Sequence, residues 1–114
     1  MSEVPESIFI ETFGNSPMNR VLDFLVTYEG FDYSMTQIAE YSEIGYATLK
    51  LFWKNLEENG IVKMTRKVGN AKMYKLNLDS PVVQKFWDFY WAVAKIKTDD
   101  YFRKEGLLQA AKKV

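Results

Sequence analysis

The segment from Ser34 to Leu76 constrains the fold more than any other part of the chain. It contains two short helical patterns separated by a tight turn, and it continues without a break into a strand, a turn and a second strand. Apolar residues recur with helical spacing in the first half and alternate in the second. This order predicts an α+β fold, mainly α, in which two helices are followed directly by a β-hairpin.

The two helical patterns have recognisable starts and apolar faces. Ser34-Met35-Thr36-Gln37 fits a capping box, which predicts a helix to about Ser42 with Ile38 and Ala39 facing the core. A second helix is predicted over about 46–59 and ends at Asn59-Gly60. Its apolar residues are spaced i, i+3, i+4 and i+7: Leu49, Phe52, Trp53 and Leu56.

The hairpin is predicted from two runs rich in β-branched and aromatic residues. They extend from Ile61 to Val68 and from Ala71 to Asn77, on either side of Gly69-Asn70. A two-residue Gly-containing link between alternating runs is typical of a tight β-turn.

The flanking segments divide the chain further. Residues 1–15 include the run Ile8 to Phe13, which we interpret as a short strand or an apolar arm. Ser16-Pro17 starts a helix that Gly30 would end in a left-handed conformation, so residues 16–78 form the main domain. Asp79-Ser80-Pro81 starts a helix over about 79–97, and residues 98–114 are expected to form a terminal helical or frayed segment, with Thr98-Asp99-Asp100 capping a separate last helix.

The formal net charge of zero hides a strong asymmetry. Residues 1–46 carry a balance of −7, whereas residues 47–76 carry +5. Clustered positive charge on one face is the electrostatic signature of a nucleic-acid-binding surface, whatever the net charge of the whole chain.

The residue types that are missing exclude several classes of function. The chain has no Cys and no His, so it lacks the usual zinc ligands, a Cys nucleophile and an imidazole base. We therefore expect no enzyme activity, no cofactor and no metal. Asp99-Asp100 with Glu105 are better explained as groups at a helix start than as a metal cluster. No apolar run approaches the ~20 residues that span a bilayer, and the N-terminus lacks a signal pattern, so the expectation is a cytoplasmic protein without a membrane role.

At the level of motifs, residues 16–97 resemble the winged helix-turn-helix DNA-binding proteins, in the style of small archaeal and bacterial regulators. The resemblance rests on Ile38-Ala39 through Ile44-Gly45 to Leu49 and Phe52, and on the passage from Leu56 to Val62. It implies a fold with a β-hairpin wing and double-stranded DNA as the partner. Glu43 departs from the pattern because the family prefers Gly at this turn position, so Glu43 must accept a positive φ or shift the turn.

The predicted DNA-binding residues lie on the helix over about 46–59 and on the wing over about 65–72. If the apolar face of the helix points inward, its outward side can enter the major groove and contact phosphates, base edges and thymine methyls. The alternative is that Lys50 and Lys54 lie on an ordinary solvent-exposed helix face that binds nothing. The wing could reach the backbone or the minor groove. The full set is Tyr46, Ala47, Thr48, Lys50, Leu51, Lys54, Arg66, Lys67, Asn70 and Lys72.

The helix over 79–97 carries more aromatic residues than one buried stripe can hold. The residues in question are Phe86, Trp87, Phe89, Tyr90 and Trp91. We expect them to form a homodimer interface and the helix to be a C-terminal dimerisation helix. The alternative is a monomer in which this helix packs on the helix that starts at Ser16 and on the segment Ile8 to Phe13 or the terminal segment.

Two classes of function stay open at this point. The first is a double-stranded DNA-binding protein, either a sequence-specific transcriptional regulator or a plasmid or viral partition protein. The second is a winged-helix module of transcription or trafficking machinery that binds another protein. A small-molecule effector between the aromatic helix and the core is also left open.

Overall fold

The computed structural model describes the backbone of residues 6–112 and the side chains of residues 6–99, 103 and 104. Five helices and three strands follow one another along this part of the chain. In order they are α1 (Ile8–Phe13), α2 (Pro17–Thr27), β1 (Tyr33–Ser34), α3 (Met35–Tyr41), α4 (Tyr46–Glu58), β2 (Val62–Val68), β3 (Ala71–Leu76) and α5 (Pro81–Lys112). The predicted fold class is confirmed.

Helix α1 corrects the expectation of a strand or arm. The Ser7 hydroxyl accepts a hydrogen bond from the Ile10 amide at 3.1 Å and so caps the helix. Phe9 and Ile10 are buried, and the Phe9 ring packs 5.3 Å from the Tyr90 ring of α5. A short apolar run fits a helix and a strand equally well, and here contact with α5 favours the helix.

The core of the main domain is built by α2, α3 and α4. Val21, Ile38 and Leu49, one from each helix, are fully buried, and Ala39 is buried as predicted. Serine caps start α2 and α3, and α3 has both hydrogen bonds of the predicted capping box. Helix α2 ends at Thr27, and Gly30 does not adopt the left-handed conformation expected of it.

The strands form one antiparallel sheet in the order β1-β3-β2. Val68 pairs with Ala71 across the turn, and Gly69 has a φ of +62° at the first turn position, where a type II′ hairpin turn requires glycine. Between Met64 and Arg66 the register shifts, so Thr65 has no Cα partner on β3. This β-bulge turns the outer half of β2 relative to the inner half.

Helix α5 continues without interruption from Pro81 to Lys112. The expected break at Thr98 and the separate last helix are therefore wrong, because α5 runs through residues that could also have capped a new helix. An α-helix of this length measures about 48 Å. The radius of gyration is 17.6 Å, whereas a compact chain of this size has about 13 Å.

None of the helices in residues 6–112 is long and apolar enough to cross a membrane.

Candidate nucleic-acid interface

Helix α4 presents a continuous exposed face. Leu51 is 82% exposed and Tyr46 is 47% exposed; Ala47, Lys50 and Lys54 are also exposed, and Thr48 is half-buried. Every residue predicted to face outward on α4 therefore has at least part of its surface in solvent.

The two lysines of this face have only weak partners within the protein. The Lys50 ammonium lies 5.7 Å from the centre of the Tyr46 ring, and the Lys54 ammonium lies 3.6 Å from the Glu58 carboxylate one turn on. Ion pairs between exposed side chains contribute about 0–1 kcal/mol. A phosphate or a guanine edge can therefore replace these partners at little cost.

The opposite face of α4 fixes its position in the domain. Leu49, Trp53 and Leu56 are buried, and Phe52 packs against the core from its margin. The Trp53 and Tyr74 rings meet nearly at right angles with centres 5.1 Å apart, an arrangement that aromatic pairs favour. The helix is thus held against β3, the central strand of the sheet.

The turn between α3 and α4 keeps the helix-turn-helix geometry despite Glu43. Glu43 adopts a φ of +58°, so of the two outcomes left open by the sequence, the positive φ is the one observed. The Ile44 amide donates to the Ala39 carbonyl at 3.0 Å, and Arg20 of α2 donates to the Glu43 carbonyl at 3.2 Å. These bonds hold the turn in a conformation that a non-glycine residue adopts only with strain.

The tip of the β2–β3 hairpin carries two exposed cations. Lys67 and Lys72 are register partners on the two strands, and Asn70 is exposed in the turn between them. Like charges placed directly opposite each other repel, and an anion bound at the tip would relieve that repulsion. The expected basic wing is therefore present, with these three residues at its end.

Arg66 is placed differently from the other wing residues. Its Nε and Nη2 donate to the two carboxylate oxygens of Asp32 at 2.9 and 3.1 Å, and the Thr65 hydroxyl donates to the same carboxylate at 2.5 Å. Hydrogen bonds from Arg66 and Thr65 lower the pKa of Asp32 from 3.8 to about 2. The bidentate face of this guanidinium is thus directed at Asp32.

Sequence reasoning did not find Asp32. It lies in the acidic half of the chain, 34 positions before Arg66, and the two are brought together because β1 adds to the free edge of β3. The bulge at Thr65 then directs both Thr65 and Arg66 toward Asp32. A two-residue strand and a one-residue bulge leave too weak a pattern to be seen in the sequence.

The five residues expected at a dimer interface differ in how much of their surface is exposed. Tyr90 is only 3% exposed, so its assignment to an interface between two chains is wrong. Phe86 and Trp87 pack partly against the core. Phe89 and Trp91 keep 45% and 40% of their surface exposed.

Tyr90 is buried because it completes a polar network between three helices. Its hydroxyl donates to the Asp23 carboxylate at 2.7 Å and lies 3.1 Å from the Thr27 hydroxyl. The Ser7 hydroxyl donates to the same Asp23 oxygen at 2.6 Å. Burial raises the pKa of Tyr90 above its usual value, and the neighbouring Asp23 carboxylate adds to this rise. The network joins α5 and the start of α1 to α2.

A three-helix core, the turn between α3 and α4 and the β-hairpin after α4 define a winged helix-turn-helix fold, as the sequence resemblance implied. Solved structures of ZitR from Lactococcus lactis, a zinc-responsive MarR family member, have the same fold. A double mutant of ZitR is 17% identical over 82% of this chain and 67% of its own, with a TM-score of 0.55. Wild-type ZitR in complex with DNA is 15% identical over 98% of this chain and 77% of its own, with a TM-score of 0.52. No protein-family model matches the chain, and no curated protein does.

The zinc response of ZitR has no evident counterpart in this chain. Zinc sites in proteins are built mainly from Cys and His, and the chain contains neither. The part of the chain that the structure describes also contains no group of three acidic residues that could hold a metal ion. The residues present therefore do not fit a zinc site of the usual kind.

Proposed function

We propose that this protein is a double-stranded DNA-binding regulator that reads the major groove with α4 and contacts the backbone or the minor groove with the wing. The observation that carries the proposal is the pairing of an exposed α4 face bearing Lys50 and Lys54 with a hairpin tip bearing Lys67 and Lys72. An α-helix fits the width of the major groove. The likeness to ZitR, which was solved in complex with DNA, supports this use of the fold.

The side chains of the α4 face and of the wing are suited to different parts of the duplex. On α4, Lys50 and Lys54 can bind guanine edges or phosphates, Tyr46 and Thr48 can bind phosphate or base, and Ala47 and Leu51 can contact thymine methyls. At the wing, Lys67, Lys72 and Asn70 are suited to phosphates. Arg66 serves first to position the wing, because its bidentate face binds Asp32.

The salt dependence of duplex binding tests this proposal. The logarithm of the affinity should fall linearly with the logarithm of salt concentration, and Lys67→Ala or Lys72→Ala should each reduce the slope by about 0.9. Lys85→Ala, which removes an exposed cation from α5, is the matched control and should leave the slope unchanged. Duplex binding that is undetectable at low salt would refute the proposal.

Sequence readout is tested separately by selecting bound sites from random duplexes. Lys50→Ala and Lys54→Ala should weaken binding to the selected site more than binding to an unrelated duplex, because base contacts carry specificity. Lys67→Ala should weaken both to a similar extent. Equal losses from both sets would show electrostatic attraction without readout and would contradict a sequence-specific regulator.

We further propose that the protein acts as a homodimer through one stripe of α5 and the end of α1. Val82, Phe89 and Ile96 recur every seven residues on α5 and are 64%, 45% and 52% exposed, so they repeat like one of the two apolar positions in each heptad of a helix-pairing seam. Phe13 of α1 extends this surface, with its ring 5.3 Å from that of Phe89. Two recognition helices held in this way could read half-sites about 34 Å apart.

Sedimentation of the protein with and without Phe89→Lys tests the dimer. The wild type should sediment as a dimer, and the variant should shift toward monomer while keeping its helical circular dichroism. Trp91, which the sequence also predicts at the interface, lies two residues from Phe89 and so on the opposite side of α5; Trp91→Lys should therefore leave a dimer formed through Phe89 intact. A wild type that stays monomeric at all concentrations would contradict the dimer, and a selected DNA site without symmetry would argue against it.

A second candidate is a winged-helix module that binds another protein through α4. Leu51, at 82% exposure, favours it together with the exposed Ala47 one turn earlier and Tyr46 at 47%, since a contiguous exposed apolar surface marks protein contacts. Failure to bind duplexes at low salt would favour this candidate. A plasmid or viral partition protein would share the DNA-binding physics of a regulator, and the selected sites would have to be located to distinguish the two.

A further inference from the structure

Four aromatic side chains line an open cleft of about 380 Å³, and none of them is among the proposed DNA contacts. Phe24 and Tyr28 come from the end of α2, Tyr33 from β1 and Tyr41 from the last residue of α3. Tyr28 and Tyr41 are 53% and 54% exposed, so half of the wall is open to solvent rather than part of the core.

The ring planes are inclined to one another and do not stack face to face. The Phe24 ring lies 4.8 Å from that of Tyr33 at 60°, and the Tyr33 ring lies 6.0 Å from that of Tyr41 at 82°. Tyr28 and Tyr41 approach Phe24 from two further sides, with ring centres at 5.4 and 5.6 Å. Inclined rings around a small volume can present several ring faces to one ligand, and ring faces carry negative potential.

The surroundings of the cleft favour a cation over an anion. Among the residues that the structure describes, only aromatic side chains line it, so an anionic ligand finds no basic partner among them. Four acids are direct chain neighbours of the lining residues, Asp23, Glu29, Asp32 and Glu40, so the chain around the cleft is acidic. Glu29 pairs with Lys75 at 3.9 Å and Asp32 with Arg66. Burial raises the pKa of Tyr33 above its usual value, as do the neighbouring Tyr41, Tyr28 and Asp32.

We propose that this aromatic cleft is a binding site for an organic ammonium cation, with a quaternary or methylated ammonium group seated among the rings of Tyr28, Tyr33 and Tyr41 and with buried Phe24 supporting them. Such groups are bound by aromatic cages through cation–π attraction and are easily removed from water. The proposal concerns the free protein and does not depend on DNA binding.

The test compares choline with its neutral isostere 3,3-dimethylbutan-1-ol on the whole protein, followed by proton NMR. The methyl protons of bound choline should shift upfield because they lie over ring faces. Choline should bind at least about fivefold more tightly than the alcohol, since a cation–π contact contributes about 1 kcal/mol. Equal affinities would overturn the proposal and show a merely apolar cleft, and absence of choline binding would also overturn it.

Substitutions of the lining residues test whether choline binds in this cleft. Tyr28→Leu and Tyr41→Leu each remove one ring and leave an apolar side chain at an exposed position, so each should weaken choline binding several-fold while the fold persists. Tyr46→Leu removes an exposed tyrosine of α4 outside the cleft and should leave choline affinity unchanged. Affinity that survives in the Tyr28→Leu/Tyr41→Leu double variant would place the cation elsewhere and overturn the proposal.

Discussion

Glycine at position 43 should stabilise this protein relative to alanine, although glycine destabilises most ordered positions. Glu43 adopts a φ of +58° in the turn before α4. A residue with a Cβ atom in this left-handed region costs about 1–2 kcal/mol. Glycine avoids this strain but loses more backbone entropy on folding, by about 0.5–1 kcal/mol. The free energy of unfolding of Glu43→Gly should therefore exceed that of Glu43→Ala by about 0.7 kcal/mol, the difference between the midpoints of these two ranges.

Comparison of these two variants removes the other contributions of Glu43. Both lose the carboxylate, which lies 3.9 Å from Arg20 and is largely exposed. Both keep the backbone carbonyl that accepts a hydrogen bond from Arg20. The difference between them thus reports the backbone conformation alone.

Urea denaturation followed by circular dichroism, at one fixed protein concentration, measures the difference. Lys85, exposed on α5, provides the matched comparison. In a regular helix Lys85→Gly should be less stable than Lys85→Ala by about 1 kcal/mol. The glycine preference should therefore have opposite signs at positions 43 and 85. If alanine is equal or superior to glycine at both positions, the argument from the turn is refuted.

Two further outcomes are expected. Tyr90→Phe should lower the free energy of unfolding by about 1–2 kcal/mol in urea, because its buried hydroxyl donates to the Asp23 carboxylate; Tyr46→Phe, on an exposed ring, should change it by less than about 0.5 kcal/mol, and equal effects would contradict the network. The Asp32 carboxyl should titrate near pH 2 by NMR and move up toward 3.8 in Arg66→Gln. Since folding lowers this pKa, the stability contributed by Asp32 is complete above pH 3.8 and is lost as the pH falls through about 2; an unshifted pKa in Arg66→Gln would show that Arg66 does not cause the depression.

Much of the fold could be predicted because the local signals and the apolar spacing agree. The capping box at Ser34 starts α3 where it was expected. The apolar spacing of α4 places Leu49 and Trp53 in the core and leaves Leu51 outside. Such agreement between capping, periodicity and turn chemistry makes a segment readable from sequence alone.

The remainder depended on contacts between distant segments. The run containing Phe9 became helical because it packs on α5, and Tyr90 turned inward because Asp23 and Thr27 offer its hydroxyl partners. Neither contact leaves a periodic trace in the sequence. The partner of Arg66 and the aromatic cleft are also products of tertiary packing, which local propensities do not encode.

The bond between Asp32 and Arg66 also bears on how the domain opens. Together with the β1–β3 pairing, it connects the segment just before α3 to the outer part of the wing, and both helices of the helix-turn-helix lie between these points. Amide hydrogens of α3, α4 and the hairpin should therefore exchange with solvent as one cooperative unit rather than piecemeal. A proteolytic fragment that begins after Asp32 would retain every residue of the hairpin. It would nevertheless lose the ion pair between Asp32 and Arg66 that holds the outer part of the hairpin.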